Sequence, residues 1–216
     1  REELEATAKA RLASAAVLAQ QSVEGPIEII TERHEGKVSR VLIELSESAH
    51  FVAAGPRGHG ELTGLLVGSV TSSLASHAQC PVAVVLGRTL DGAPPSEGPI
   101  VVGVDGSECS HAAVEVAFAH ASAVGAPLVA VNVWSDVSVQ PSLGATPEDP
   151  LWSSIQEAEE AVLSESLAGF QERYPDVVVE RVVARDRPVR VLSDYAEAAQ
   201  LIVVGSRGRG GFKGML

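Results

Sequence analysis

Several glycines that follow a short apolar run are spaced so that they could form a binding site. Gly55, Gly58, Gly68 and Ser69 form the pattern Gly-x2-Gly-x9-Gly-Ser, directly after a predicted strand at 50–54. Glycines after a parallel strand let backbone N–H groups approach an anion closely. A Gly-Ser pair at the next helix start adds N–H donors, a hydroxyl and the positive end of the helix dipole. The pattern therefore predicts a phosphate-binding loop.

The same pattern begins a second time near the end of the sequence. A shift of 150 positions places residues 40–42 on the identical residues 190–192, and it places residues 55–66 on residues 205–216. The identical positions within the loops are Gly55 and Gly205, Arg57 and Arg207, Gly58 and Gly208, Gly60 and Gly210, Gly64 and Gly214, and Leu66 and Leu216. Such a repeat indicates a duplicated domain, because its period is far too long for a solenoid.

Two better-known phosphate motifs do not fit these loops. A P-loop requires Gly-x4-Gly-Lys-[Ser/Thr], but Lys213 is followed by Gly214. A Rossmann fingerprint requires Gly-x-Gly-x-x-Gly after the first strand, whereas the first strand of the second copy ends in Val104-Asp-Gly-Ser107.

The elements that must position the loops alternate between strands and helices. For the second copy we predict a strand at 100–104, a helix capped by Ser107 and ending near 124, a strand at 128–134, a helix at 152–172, a strand at 177–184, a helix at 188–198 and a strand at 201–204. For the first copy we predict a helix at 2–20, strands at 27–32, 50–54 and 81–86, and helices at 38–48 and 69–77. This alternation favours right-handed βαβ units and a doubly wound parallel α/β sheet.

The sequence predicts two domains, 1–90 and 99–216. They are joined by a linker at 91–98 that is rich in turn residues. The first copy lacks the first strands and helix of the repeat, and the second copy lacks its last helix and strand. In a doubly wound sheet of strand order 3-2-1-4-5 the first two strands separate the third from the fourth. We therefore expect the natural protein to extend beyond both ends of this sequence.

Composition and charge narrow the class of protein. Hydrophobic residues make up 45% and charged residues 20% of the chain, as in an ordinary globular fold. The formal net charge of −12 disfavours nonspecific binding to nucleic acid or anionic membranes, since both require basic residues. No apolar run approaches the roughly 20 residues of a membrane-spanning helix. We expect a cytoplasmic protein with reduced cysteines and no metal site.

The segment Val101-Val-Gly-Val-Asp-Gly-Ser107, together with the glycine loop and its Arg57, resembles the universal stress protein family in its tandem two-domain form. The resemblance covers nearly the whole chain. It implies a Rossmann-like, doubly wound, five-stranded parallel sheet of strand order 3-2-1-4-5 in each of the two repeats. In that family the loop motif marks the members that bind ATP, so the resemblance implies ATP as the ligand and leaves Mg²⁺ open. It also implies pairing through the last strands, within the chain or in a homodimer.

Carried over position by position, the resemblance assigns ATP contacts to residues in both copies. Gly103 and Asp105 are expected to meet the nucleoside, and Val133 is expected to touch the adenine. The residues expected to line the ribose and phosphates are Gly205, Arg207 and Gly208 in the second copy, and Gly55, Arg57, Gly58, Gly68, Ser69 and Thr71 in the first. From the residues alone, each glycine loop could instead be a tight turn, and Asp105 could merely cap a helix.

The leading functional interpretation is a regulatory ATP-binding module of the stress response, without enzymatic activity beyond weak ATP hydrolysis. No activated nucleophile, metal cluster or acid/base pair emerges from the sequence. Two alternatives remain open. One is an ATP-hydrolysing or adenylyl-transferring α/β enzyme, for which Glu61 is the only acidic residue within the first loop. The other is a nucleotide-free dimerisation scaffold.

Overall fold

A computed structural model divides the chain into two compact units, which comprise residues 1–84 and 85–216. The residues that the structure describes are 2–55, 68–85, 95–134 and 150–208. The predicted linker at 91–98 lies partly outside this described set, and the predicted domain boundaries stay a prediction.

Unit 1 is built from three helices and a pair of short strands within its described residues. These elements are α1 (Glu2–Gln21), α2 (Val38–Ser46), β1 (Val52–Ala54), α3 (Ser69–His77) and β2 (Val82–Val84). Strands β1 and β2 are parallel, and Val52 lies opposite Val82. The buried Ser46 hydroxyl at the end of α2 accepts a hydrogen bond of 2.9 Å from the backbone N–H of Gln79, which ties α2 to the turn before β2.

The strand predicted at 27–32 is wrong. Residues 26–35 have no regular secondary structure, and β1 pairs only with β2 among the described residues of unit 1. Apolar alternation favours a strand only where a neighbouring strand can take its backbone hydrogen bonds. This segment therefore stays irregular, and Ile30 is 73% exposed.

Unit 2 contains a larger set of alternating elements. These are β3 (Ile100–Gly103), α4 (Glu108–Val124), β4 (Leu128–Trp134), α5 (Pro150–Leu167), α6 (Phe170–Arg173), β5 (Val179–Arg185), α7 (Pro188–Ala196) and β6 (Leu201–Val203). The bounds of β4 and α3 agree with the prediction. The helix predicted at 152–172 is wrong as one element, because Gly169 takes a left-handed conformation and separates α5 from α6.

The four strands of unit 2 form one parallel sheet in the order β5-β4-β3-β6. Numbered within the unit, this order is 3-2-1-4, which fits the doubly wound α/β architecture predicted from the sequence. The fifth position of the predicted order 3-2-1-4-5 is not represented among the described residues of unit 2, so it stays a prediction. Strand β5 forms one edge and exposes Glu180, Arg181 and Arg185, while β6 forms the other edge.

The central strand β3 is covered on both faces, as its unbroken β-branched run predicts. One face packs against α4 and α5, where Phe118 and Leu163 are buried. The opposite face packs against α7 through Leu192 and Tyr195. Helix α4 begins at the predicted N-cap, since the Ser107 hydroxyl accepts a hydrogen bond from the backbone N–H of Ser110. Among the described helices, none is long and apolar enough to cross a membrane.

Candidate functional site

The carboxyl ends of β3 and β6 form the most informative edge of unit 2. These two strands are parallel neighbours, but the helix that follows β3 and the helix that precedes β6 lie on opposite faces of the sheet. The strand order therefore reverses beside β3, and in open α/β sheets such a reversal is where a crevice forms outside the strand ends. Open α/β sheets bind their ligands at such switch points.

Asp105 lies in this crevice, two residues after the end of β3. Its Oδ1 accepts a hydrogen bond of 3.0 Å from the backbone N–H of Ser107. Its own backbone N–H donates to the hydroxyl of Ser110 over 3.4 Å. The half-buried carboxylate is thus fixed at the start of α4, where the positive end of the helix dipole favours its charge.

The glycine loop that follows β6 closes the other side of the crevice. A Cβ added to Gly205 would lie 2.9 Å from the carbonyl carbon of Cys109, so this position requires a glycine for close packing against α4. A Cβ added to Gly208 would overlap Oδ2 of Asp105. The loop backbone therefore meets the Asp105 carboxylate directly.

The structure brings Asp105, Gly205 and Gly208 together at one edge, and it places Gly103 at the end of β3 and Val133 near the end of β4. Gly103 ends β3, and a Cβ there would lie 3.2 Å from Cγ1 of Val204 and 3.5 Å from Cδ1 of Leu192. Its lack of a side chain is therefore explained by packing. Val133 is partly buried near the end of β4 and packs against the cluster under α7. Whether these residues contact a ligand stays a prediction.

The glycine loop of unit 1 is described only at its two ends. Gly55 follows β1, and Gly68 and Ser69 stand at the start of α3. The buried Thr71 joins the two ends, because its hydroxyl donates a hydrogen bond of 3.0 Å to the carbonyl oxygen of Gly55. The remaining predicted contacts of this loop, Arg57 and Gly58, lie outside the described residues, as does Glu61.

Two features of the crevice were missed by sequence reasoning. Ser110 is buried and bonds to both Asp105 and Ser107, the two residues that the sequence predicted to act there. The Ser107 hydroxyl also donates to the carbonyl oxygen of Arg207 over 3.4 Å. The Ser-x-x-Ser spacing could have indicated the first contact. The second joins residues a hundred positions apart and has no local signal.

An aromatic cluster stands at the carboxyl ends of β4 and β5. The rings of Trp134 and Trp152 stack with centroids 5.9 Å apart, and the guanidinium of Arg185 lies 3.9 Å from the centroid of Trp152. The two rings and the guanidinium thus form a packed aromatic and cation–π cluster at this end of the sheet.

Unit 1 holds a groove of about 490 Å³ between α2 and the irregular segment that precedes it. Its walls are mostly apolar, and a pair formed by His34 and Glu32, 2.8 Å apart, stands beside them. No three metal-binding side chains converge in the described parts of the chain.

Comparisons with known proteins identify the family. The profile of the universal stress protein family matches residues 1–85 and 98–216. The chain therefore belongs to the universal stress protein family and carries its domain twice.

Curated relatives agree with this assignment. The chain is 43% identical over 192 residues to universal stress protein Rv2623 of Mycobacterium tuberculosis, a match that covers 89% of this chain and 63% of the relative. It is 47% identical over 186 residues to a universal stress protein of Mycolicibacterium smegmatis, covering 86% of this chain and 61% of the relative. The chain thus spans somewhat more than half the length of these relatives.

Solved structures support the fold. A universal stress protein from Archaeoglobus fulgidus aligns with a TM-score of 0.52 at 22% identity, over 80% of this chain and 55% of that one. Protein PA1789 from Pseudomonas aeruginosa, described as functionally unknown, aligns with a TM-score of 0.53 at 17% identity, over 86% of this chain and 62% of that one.

Proposed function

We propose that this chain is a regulatory module that binds an adenine nucleotide, ATP, in the crevice of unit 2. The observation that carries the proposal is the meeting of the Asp105 carboxylate with the glycine loop at Gly208, beside the N-terminus of α4. This combination offers a fixed acceptor for hydroxyl donors next to a backbone that a phosphate can approach closely.

Each part of the crevice suits one part of the nucleotide. The carboxylate of Asp105 accepts hydrogen bonds from ribose hydroxyls, and the side-chain-free backbone at Gly205 and Gly208 admits the phosphates. The first turn of α4 adds backbone donors and a positive partial charge. Local donors of this kind are needed because a net charge of −12 provides no general attraction for an anion.

In unit 1 we propose that the start of α3 binds phosphate. Gly68 and Ser69 begin that helix, and Thr71 holds Gly55 beside it. Mg²⁺ is proposed to enter only as the complex that it forms with the phosphates, beside the Asp105 carboxylate that meets the glycine loop.

We propose that the function of the module is regulatory rather than enzymatic. Binding would change conformation or partner choice, with ATP turned over slowly or not at all. A cytoplasmic location is part of the proposal, as is pairing of the two units or of two chains. The acidic surface supports the absence of nucleic-acid and membrane partners. Light scattering of the purified chain tests the pairing between chains.

Isothermal titration calorimetry with ATP tests the binding. Wild-type protein is expected to bind, and Asp105→Asn is expected to weaken binding about tenfold, because hydrogen bonds to a charged acceptor are the stronger kind. Asp176→Asn is the matched control, since Asp176 also bonds a serine of α4 but lies away from the crevice. Absence of heat and of a thermal shift at millimolar ATP would contradict the proposal and favour the scaffold. Rapid phosphate release would favour the enzyme.

A further inference from the structure

Ser107 makes contacts on three sides of the crevice. Its backbone N–H donates to Oδ1 of Asp105 over 3.0 Å. Its hydroxyl accepts from the backbone N–H of Ser110 over 3.2 Å and donates to the carbonyl oxygen of Arg207 over 3.4 Å. One residue therefore connects the carboxylate, the start of α4 and the glycine loop.

The hydroxyl group is well suited to this double task. It has one O–H donor and two acceptor lone pairs, so it can cap α4 and hold the Arg207 carbonyl at the same time. An ionised aspartate could cap the helix but has no hydrogen to donate. A glycine preserves most of the stability of an N-cap and offers neither contact. Ser107→Gly therefore removes both side-chain contacts at little cost to the stability of α4.

The loop contact fixes the backbone where it matters for a ligand. Arg207 and Gly208 are both exposed, and Gly208 stands directly against the Asp105 carboxylate. An exposed loop segment with few buried contacts is expected to open easily. Holding the Arg207 carbonyl keeps the segment in place before a ligand arrives, which lowers the ordering cost of binding.

The geometry points to Ser107 as a positioning residue that latches the Arg207–Gly208 peptide over Asp105 and so pre-forms the crevice. The part of this inference that concerns nucleotide affinity rests on the proposed function. The latch itself is a property of the protein without ligand. It acts through the glycine loop, and no contact of Ser107 with the nucleotide is required.

Trypsin tests the latch directly, because the carbonyl that Ser107 holds belongs to the cleavable Arg207–Gly208 bond. Cleavage of this bond is followed by mass spectrometry in the absence of nucleotide. Ser107→Gly is expected to raise the cleavage rate about fivefold, the effect of one net hydrogen bond. Ser107→Thr keeps the hydroxyl and is expected to cleave as the wild type does. Ser122→Ala, which removes a hydroxyl from the far end of α4, is the control.

Equal cleavage of wild type and Ser107→Gly would overturn the inference, and so would rapid cleavage of Ser107→Thr. Calorimetry then adds the second readout, in which Ser107→Gly is expected to weaken ATP binding about fivefold and Ser107→Thr is expected to restore it. If the wild type binds no ATP but Ser107→Gly still accelerates cleavage after Arg207, the latch stands and the proposed function fails. If ATP binds all variants equally, the positioning role is wrong.

Discussion

The two glycine loops begin with the same residue types but are held in different ways. In unit 2 the loop is fixed from α4, the helix that follows another strand, through Gly205 against Cys109 and through the Ser107 hydroxyl. In unit 1 the start of the loop is held from α3, the helix that follows the loop itself, through Thr71. The described contacts that hold the two loops therefore come from non-equivalent helices of the repeat, α4 in unit 2 and α3 in unit 1.

The helices α2 and α7 give a second comparison, since a shift of 150 positions superposes them. In unit 2 the apolar face of α7 is covered by the sheet. The residues in this contact are Val191, Leu192 and Tyr195 on the helix, and Val101, Val129 and Val131 on the strands. In unit 1 the equivalent residues Val41, Leu42 and Leu45 line the groove instead. The same amphipathic face thus packs, partly buried, against the sheet in unit 2 and lines a groove in unit 1.

Gly205→Ala is expected to have the largest effect, because the added Cβ would meet backbone atoms of Cys109 that cannot turn away. We expect unit 2 to lose about 3 kcal/mol of unfolding free energy, the upper end for overpacking. Urea unfolding followed by tryptophan fluorescence measures this selectively, because both tryptophans belong to unit 2. Ser206→Ala, at the exposed neighbouring position, is the control. An unchanged midpoint for Gly205→Ala would show that the loop is not packed on α4.

Leu192→Ala and Leu42→Ala form a matched pair that tests the comparison of the two helices. Leu192 packs against β3, so its truncation is expected to cost unit 2 about 2 kcal/mol. Leu42 lines the open groove, and its truncation is expected to cost unit 1 less than about 1 kcal/mol. Hydrogen exchange of the amides in β1 and β2, and of those in β3 and β6, reports the two units separately. Equal losses would mean that the face of α2 is as well covered as that of α7.

Gly208→Ala is expected to weaken ATP binding about tenfold, because the new methyl group would displace either the loop or the Asp105 carboxylate. Calorimetry measures the dissociation constant. The fluorescence-detected unfolding midpoint is expected to stay close to that of the wild type, since Gly208 is exposed. Wild-type affinity in this variant would show that the contact of loop and carboxylate does not shape the ligand site.

Thr71→Val is expected to have the smallest effect, about 1 kcal/mol, confined to unit 1, because it removes the hydrogen bond to Gly55 while preserving the side-chain shape. Hydrogen exchange in α3 is expected to accelerate. Thr71→Ser retains the hydroxyl and is expected to exchange at nearly the wild-type rate. Faster exchange in Thr71→Ser than in Thr71→Val would instead show that packing of the Thr71 methyl group, and not its hydroxyl, holds the start of the loop.

The parts of the fold that depend on local patterns could be predicted from the sequence. Helix α3 and strand β4 have the predicted bounds, and the Ser107 cap follows from the residue types at the start of α4. The segment at 27–32 could not be predicted correctly, because its apolar pattern carries no information about whether a partner strand lies beside it.

In the candidate site, too, contacts between neighbours in the sequence could be predicted, and contacts between distant residues could not. The internal repeat placed Gly205, Arg207 and Gly208 in one loop, and the residues around Asp105 predicted the turn into α4. The approach of Gly208 to Asp105 and of Ser107 to Arg207 could not be read from spacing, since about a hundred residues separate the partners. Those distances depend on the pairing of β3 with β6.

The sheet of unit 2 is also asymmetric at its two edges. Strand β5 presents Glu180, Arg181 and Arg185 at one edge, whereas Leu201, Ile202 and Val203 make up the edge strand β6. Charged side chains oppose the addition of a further strand, because pairing would desolvate them. Strand addition is therefore disfavoured beside β5 and favoured beside β6. We expect any further strand to pair with β6.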